Sequence, residues 1–169
     1  MNERVKLSPD EFKIRIAKKE DTPVILKFIK ELAVYEKLSD QVEATEHLLE
    51  QSLFGKHRVS EVIFAEYKDT PVGYCLFFHN FSTFLGKNGL YIEDIYVQPK
   101  MRGLGIGRQL FSYMAKLALD RGCGRLEWWV LDWNKDAINF YKKMGAQGMD
   151  EWTVYRLSGE KLKTLADKN

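Results

Sequence analysis

The stretch PKMRGLGIGRQL, Pro99 to Leu110, sets glycines at 103, 105 and 107, with Arg102 before them and Arg108 after. Glycine has no Cβ to block a close approach by a ligand. Successive backbone N–H groups, added to the free donors at the start of a following helix, favour a phosphate or pyrophosphate. A tight strand-to-helix turn that binds nothing is the simpler alternative. Three alternating glycines between two arginines tilt the balance toward the anion.

Register excludes the common nucleotide loops. A Walker loop needs GxxxxGK followed by Ser or Thr, whereas Gly107 is followed by Arg108 and Gln109. A dinucleotide fingerprint needs GxGxxG directly after the first strand of a βαβ unit. Counted from Gly103 the third glycine, Gly107, comes one position early; counted from Gly105 that place is taken by Leu110. The pattern that remains is Arg102-x-x-Gly105-x-Gly107.

The elements around this loop follow from periodicity. FKIRIA (Phe12–Ala17) alternates apolar and charged residues and predicts a strand. DTPVILKFIKELAVYEKL opens with Asp21 or Thr22 as cap and Pro23 in the first turn, and carries Ile25, Phe28, Ile29 and Leu32 at helical spacing. TEHLLEQSLFG predicts a shorter helix ending near Gly55. Three strand runs follow, Ser60–Tyr67, Val72–Phe81 with Gly73 at a bulge, and Gly89–Val97, joined by short turns that suit antiparallel neighbours.

After the loop, Leu110, Phe111, Met114 and Ala118 mark one face of a helix that Gly122 can end. Arg125–Leu131 predicts a buried strand. A short helix runs from an Asn134 cap to a stop at Gly145, followed by a last strand, Trp152–Leu157, and a polar helical tail. The order predicts a single α/β domain over residues 1–169, with 1–11 as a tail, built on a mixed central sheet flanked by helices.

The bulk composition narrows the function classes. With 26 basic and 24 acidic residues, a net charge of +2 gives no general electrostatic case for nucleic acid or an anionic membrane. No apolar run approaches the roughly 20 residues of a membrane span. Cys75 and Cys123 are far apart and form no CxxC, so reduced thiols are expected. His47, His57 and His79 stand alone, without metal-ligand spacing, and no metal is expected. The polar start, MNERVKLSPDEF, lacks an apolar signal core, which makes the cytoplasm the expected location.

With its Arg-x-x-Gly-x-Gly loop the sequence resembles the GNAT N-acetyltransferase superfamily, whose signature is [R/Q]xxGx[G/A]. KELAVYEKLSDQV, LYIEDIYVQPKMRGLGIG and VLDWNKDAINFYKKMGAQ resemble the spermidine/spermine (diamine) acetyltransferase branch, and most of all its relatives that acetylate thialysine. The resemblance runs from Ile14 to about Leu157. It implies the acyl-CoA N-acyltransferase fold, acetyl-CoA as co-substrate and a homodimer. By resemblance, Arg102, Gly103, Leu104, Gly105, Ile106, Gly107 and Arg108 form the pyrophosphate loop. Ile95, Tyr96 and Val97 meet the pantetheine arm, and Asn134, Lys135, Asp136 and Ala137 lie near its thiol end. Tyr141 matches the family's general acid, and Glu93 a carboxylate at the amine end. The resemblance also implies backbone donors for the oxyanion between splayed strands that hold Ile95 and Val130.

Acyl transfer from a thioester to an amine poses two proton problems. An amine with a pKa near ~10.4 is only about 0.04% free base at pH 7, a handicap of roughly 4.6 kcal/mol. A carboxylate can attract the cation and take its proton, directly or through a water. Strand alternation puts Glu93 and Asp94 on opposite faces, so one of them enters a given cleft, and Glu93 is the candidate. The leaving thiolate, with a parent pKa of about 8.5, needs a proton; a phenol with a pKa near ~10 still holds one to give, the role expected of Tyr141. No Ser, Cys or His nucleophile is required, because the amine itself attacks.

A cationic substrate favours acidic and aromatic neighbours. Tyr35 and Glu36 match a substrate-contact region of the diamine branch. Trp128 and Glu151 are further candidates, with Trp129, Asp132 and Trp152 behind them; core or dimer interface is an equal reading for the tryptophans. FSTFLGK carries Ser82 and Thr83 where the polyamine-acetylating branch tends to have an acid, which shifts the preference toward a short diamine or a lysine-like amino acid. The expected function is therefore N-acetylation of a small-molecule primary amine. The alternatives are a non-catalytic acyl-CoA-binding module and an acetyltransferase acting on a protein or peptide amine.

Overall fold

Strand runs rich in β-branched and aromatic residues, separated by short turns, pair with their neighbours in sequence. In the computed structural model, which describes residues 7–167, β1 (Phe12–Ile16), β2 (Ser60–Tyr67), β3 (Thr70–Ser82), β4 (Lys87–Val97) and β5 (Leu126–Trp128) form one sheet in chain order. The first three pairings are antiparallel and β4–β5 is parallel. The two-residue turn between β2 and β3 uses Lys68 and Asp69 at φ 50° and 56°, the left-handed pair that matches strand twist. A bulge on β3 at Val72 sits beside Gly73, as expected. A Cβ on Gly73 would come within 2.7 Å of the Tyr96 carbonyl oxygen, so only glycine fits.

Two helices lie between β1 and β2: α1 (Thr22–Glu36) and α2 (Glu46–Phe54), the latter capped by the Thr45 hydroxyl accepting from the Leu48 N–H. Phe28 of α1 packs on Phe64, Tyr74 and Tyr96 with ring centroids 6.0, 5.6 and 5.9 Å away. The parallel pairing requires a crossover, supplied by α3 (Ile106–Asp120). Its buried face is Leu110, Phe111, Met114 and Ala118, the set that the helical spacing predicts. Arg121, just past α3, stacks over Phe77, which points to the opposite face from Tyr74. The sheet thus has α1 on one face and α3 on the other.

The chain divides into two compact units, Met1–Trp129 and Val130–Asn169. The sheet and its two flanking layers make up the first. The second holds α4 (Lys135–Lys143), capped by Asn134, and α5 (Gly159–Ala166). Among the described residues no helix is long and apolar enough to cross a membrane. Of the expected tail, residues 1–6 lie outside the described residues, and Pro9–Glu11 form one turn of 3-10 helix.

Two strand expectations are corrected. The strand expected over Arg125–Leu131 is only Leu126–Trp128 and is half-buried, because its one ladder partner is a short stretch of β4. Trp152–Leu157 forms no strand. Its alternating pattern suits a strand, but a strand also needs a hydrogen-bonded neighbour, and Trp152, Val154, Tyr155 and Leu157 stay exposed.

An ion-pair network ties the start of α1 to the paired strands β1 and β2. Arg15 donates from Nη1 and Nη2 to Asp21 at 2.6 and 2.8 Å, and from Nε to the buried Glu66 at 2.6 Å. The Arg15 guanidinium holds the Asp21 carboxyl below its ordinary range. Arg15→Ala would take the 2.6 Å partner from the buried Glu66 and leave it Lys13 Nζ at 3.4 Å, and is expected to cost about 2 kcal/mol at pH 7, measured by urea unfolding. The folded pKa of Asp21 lies below its unfolded one. Its share is therefore present above about pH 4 and lost as pH falls through the lowered value. The gap between variant and wild type should narrow near about pH 3; a gap that widens would contradict this assignment.

Candidate active site

The β3–β4 ladder slips by one residue. Cys75 opposes Ile95 and Leu76 opposes Asp94, but Phe77 opposes Ile92. Glu93 is the exposed extra residue of a β-bulge on β4, skipped in the β3–β4 register. Before the bulge, Leu90 and Ile92 face the same side as Phe77; after it, Asp94 and Tyr96 face the α1 side with Tyr74. Strict alternation, the basis for separating Glu93 from Asp94, therefore does not hold across this point. The parallel ladder to β5 also stops here, with Ile92 opposite Trp128 as its last pair. Beyond it, no ladder bond from β5 reaches β4 at Glu93, Ile95, Tyr96 or Val97.

On the α1 side, Asp94 accepts a 2.7 Å hydrogen bond from the Tyr74 hydroxyl. Burial pushes the Asp94 carboxyl up, and the Tyr74 hydrogen bond opposes that. Glu36, at the end of α1, is also raised, first by burial and then by the Asp94 charge. Tyr74 holds its proton well above the ordinary phenol range, because it is buried and faces Asp94. Tyr96 is pushed up to about 12, by burial and by its bond to Glu31.

Arg102 draws several predicted residues together. Its Nε donates to the Val97 carbonyl at 2.9 Å, and its guanidinium lies 4.6 Å from the Tyr35 ring centroid and 5.7 Å from that of Tyr96. Its side chain is thus turned back onto β4 and α1. Trp128 instead packs against Phe111 of α3 at 4.8 Å, on the opposite face from Tyr35 and Glu36. Trp129 meets Tyr91 edge-on at 5.7 Å. Ser82 is buried and accepts from the Leu85 N–H, which gives it a turn-forming role.

The glycine loop has the geometry of an anion cradle. Gly103 and Gly105 sit at φ 79° and 87°, and Gly105 is the N-cap of α3 with no side-chain cap. The first N–H groups of this 15-residue helix are left for a ligand, beside the positive end of its dipole. Gly107 lies inside the first turn of α3, beside the exposed Arg108. These residues fit a pyrophosphate. Among the described residues, no group of three or more His, Cys, Asp or Glu could hold a metal ion.

In the second unit, the Asn134 side chain accepts from the Ala137 N–H at 3.3 Å and so opens α4. Asn134, Ala137, Ile138 and Tyr141 recur at helical spacing and are all half-buried, while Lys135 and Asp136 are exposed. Tyr141 packs beside Phe140 at 5.7 Å. Glu151 is exposed, outside any helix or strand.

The sequence pattern of the acetyltransferase (GNAT) family matches residues 26–146. The chain belongs to the GNAT family. GNAT enzymes use acetyl-CoA, and this chain is an acetyl-CoA-dependent acetyltransferase. It is 44% identical to a thialysine N-epsilon-acetyltransferase of Bos taurus, over 92% of this chain and 97% of that one. It is 34% identical to an L-ornithine N5-acetyltransferase of Arabidopsis thaliana, over 93% and 89% of the two chains. Its fold is similar to that of an integron cassette protein of V. cholerae, with a TM-score of 0.80 at 29% identity over 94% and 99% of the chains.

Sequence reasoning missed the bulge, Tyr74 and the role of Asp94. A signal for the bulge was present in LYIEDIYV. Leu90 and Ile92 are apolar in one phase, Ile95 and Val97 in the other, and the slip falls on the two acids. No comparable signal marked Tyr74, which reads as an ordinary core aromatic.

The positive φ at Gly105 predicts the effect of filling it. Nothing lies within 4 Å of an added Cβ, so the strain of Gly105→Ala is purely conformational. A loss of about 1 kcal/mol in urea unfolding is expected. An unchanged midpoint would mean that the loop relaxes freely.

Proposed function

We propose that this GNAT enzyme transfers the acetyl group of acetyl-CoA directly to a primary amine of a small molecule, a short diamine or polyamine or a lysine-like amino acid such as thialysine. The observation that carries the reading is the opening of the sheet at Glu93. There the β5 ladder ends, one strand segment and one loop before the uncapped start of α3. Such an opening leaves β4 backbone groups for the pantetheine arm at Ile95, Tyr96 and Val97, while the α3 end takes the pyrophosphate. The substrate class is supported by two relatives whose names describe acetylation of an amino acid at its side-chain nitrogen.

In the proposed mechanism Glu93, exposed at the bulge, assists in removing the proton from the ammonium group. The neutral amine attacks the thioester carbon to form the C–N bond, the attacking nitrogen releases its extra proton to solvent, and the C–S bond breaks. Tyr141 gives its proton to the departing sulfur and recovers one as the enzyme resets. Asn134 and the first turn of α4 would contact the thiol end of the donor. Tyr35, Glu36 and Glu151 are proposed contacts for the amine substrate, with Glu36 supplying negative charge beside an aromatic ring. The proposed setting is a cytoplasmic homodimer.

A panel of thialysine, ornithine, lysine, diaminopropane, putrescine, spermidine and a lysine peptide, assayed with acetyl-CoA, tests this reading. Release of CoA with an ω-amino acid or diamine ahead of the peptide is expected. Preference for the peptide would replace the small-molecule reading, and tight CoA binding without turnover would favour a binding module. Tyr141→Phe is expected to lower kcat by about 100-fold and leave the acetyl-CoA Kd within about 2-fold. An unchanged kcat would remove Tyr141 from the mechanism.

A further inference from the structure

A bulge solves one problem and creates another. It leaves Glu93 exposed on β4, but the extra residue of a bulge is left out of the ladder. How firmly the residues on either side are held then bears on its direction. Before it, Ile92 is fixed on both edges, opposite Phe77 and beside Trp128. After it, β5 no longer helps. Asp94 opposes Leu76 on β3, and its side chain is held by the Tyr74 hydroxyl at 2.7 Å.

Tyr74 is a stiff anchor for this purpose. It is 0% exposed, stacked on Phe28 at 5.6 Å and opposite Tyr96 in the ladder. Its hydroxyl reaches diagonally across the strands to Asp94, on the same face of the sheet. A carboxylate this buried costs free energy unless a donor meets it, so the bond keeps Asp94 in one orientation. Glu36, at the end of α1, lies near enough for the Asp94 charge to raise its carboxyl.

We infer that the Tyr74–Asp94 hydrogen bond is a positioning device for Glu93, fixing the residue that follows the bulge and with it the direction of the Glu93 carboxylate. The inference rests on the proposed reading of Glu93 as the group that takes the amine proton. Tyr74 and Asp94 are positioning residues and need not touch the substrate.

The test is a double-mutant cycle with Y74F, E93Q and Y74F/E93Q, plus D94N, assayed with thialysine and acetyl-CoA after thermal melts confirm folding. Phenylalanine keeps the stack on Phe28 and removes only the hydroxyl. Y74F is expected to lower kcat/KM for the amine by about 10-fold, with the acetyl-CoA KM within about 2-fold. Added to E93Q, it should cost no further loss beyond about 2-fold, because it acts through Glu93. D94N keeps an acceptor for the Tyr74 hydroxyl and should stay within about 3-fold of wild type.

Wild-type rates in Y74F, while E93Q is impaired, would overturn the inference alone. So would a full 10-fold loss, or about that, from Y74F in the E93Q background, which would mark an independent structural effect. A D94N loss as deep as that of E93Q would make Asp94 itself the proton acceptor and overturn the positioning role. Wild-type activity in E93Q would remove Glu93 from the chemistry, and this inference with it.

Discussion

One inserted residue in β4 sets the terms for the rest of the first unit. An antiparallel ladder with strict alternation would keep Leu90, Ile92, Asp94 and Tyr96 on a single face. That arrangement would send Asp94 and Tyr96 to the α3 side and take Tyr96 away from Phe28. The extra residue at Glu93 reverses the faces halfway along the strand. Leu90 and Ile92 can then serve one core layer while Tyr96 joins Phe28, Phe64 and Tyr74 in the other. The same point is where the parallel ladder to β5 ends. A packing requirement and an opening in the sheet are thus met by one change in register.

The glycine loop shows a different kind of constraint. The absence of Cβ at Gly103 and Gly105 does not relieve crowding, since open space surrounds both positions. What glycine supplies there is access to positive φ, which lets the chain turn from β4 into α3 within a few residues. Arg102 reinforces the turn from the other side by binding the Val97 carbonyl and lying over Tyr35. The loop and the end of α1 are therefore held in one cluster. The residues that resemblance divides between donor and acceptor binding share their support.

Much of this was legible from residue order. The spacing in α1 and α3 identified their buried faces, and Asn134 and Gly145 marked the ends of α4 because caps and stops are local chemistry. The strand runs, too, were found within a few residues. Sequence fails where a feature depends on a partner. Trp152–Leu157 has strand-like alternation but no ladder among the described residues. Arg125–Leu131 looks like a full strand, yet only three residues of it pair. Tyr74 was invisible for the same reason, since its importance lies in Asp94, which is twenty residues away and adjacent only once the sheet has formed.

Cys75 lies opposite Ile95, next to the bulge, fully buried. Burial and the nearby Asp94 charge push its thiol far above the ordinary range, so it keeps its proton at any physiological pH. An enzyme that handles thioesters is exposed to a side reaction in which one of its own sulfurs captures the acyl group. Only a thiolate captures it efficiently. The packing that shields this strand therefore also keeps the protein from becoming an acceptor of its own donor.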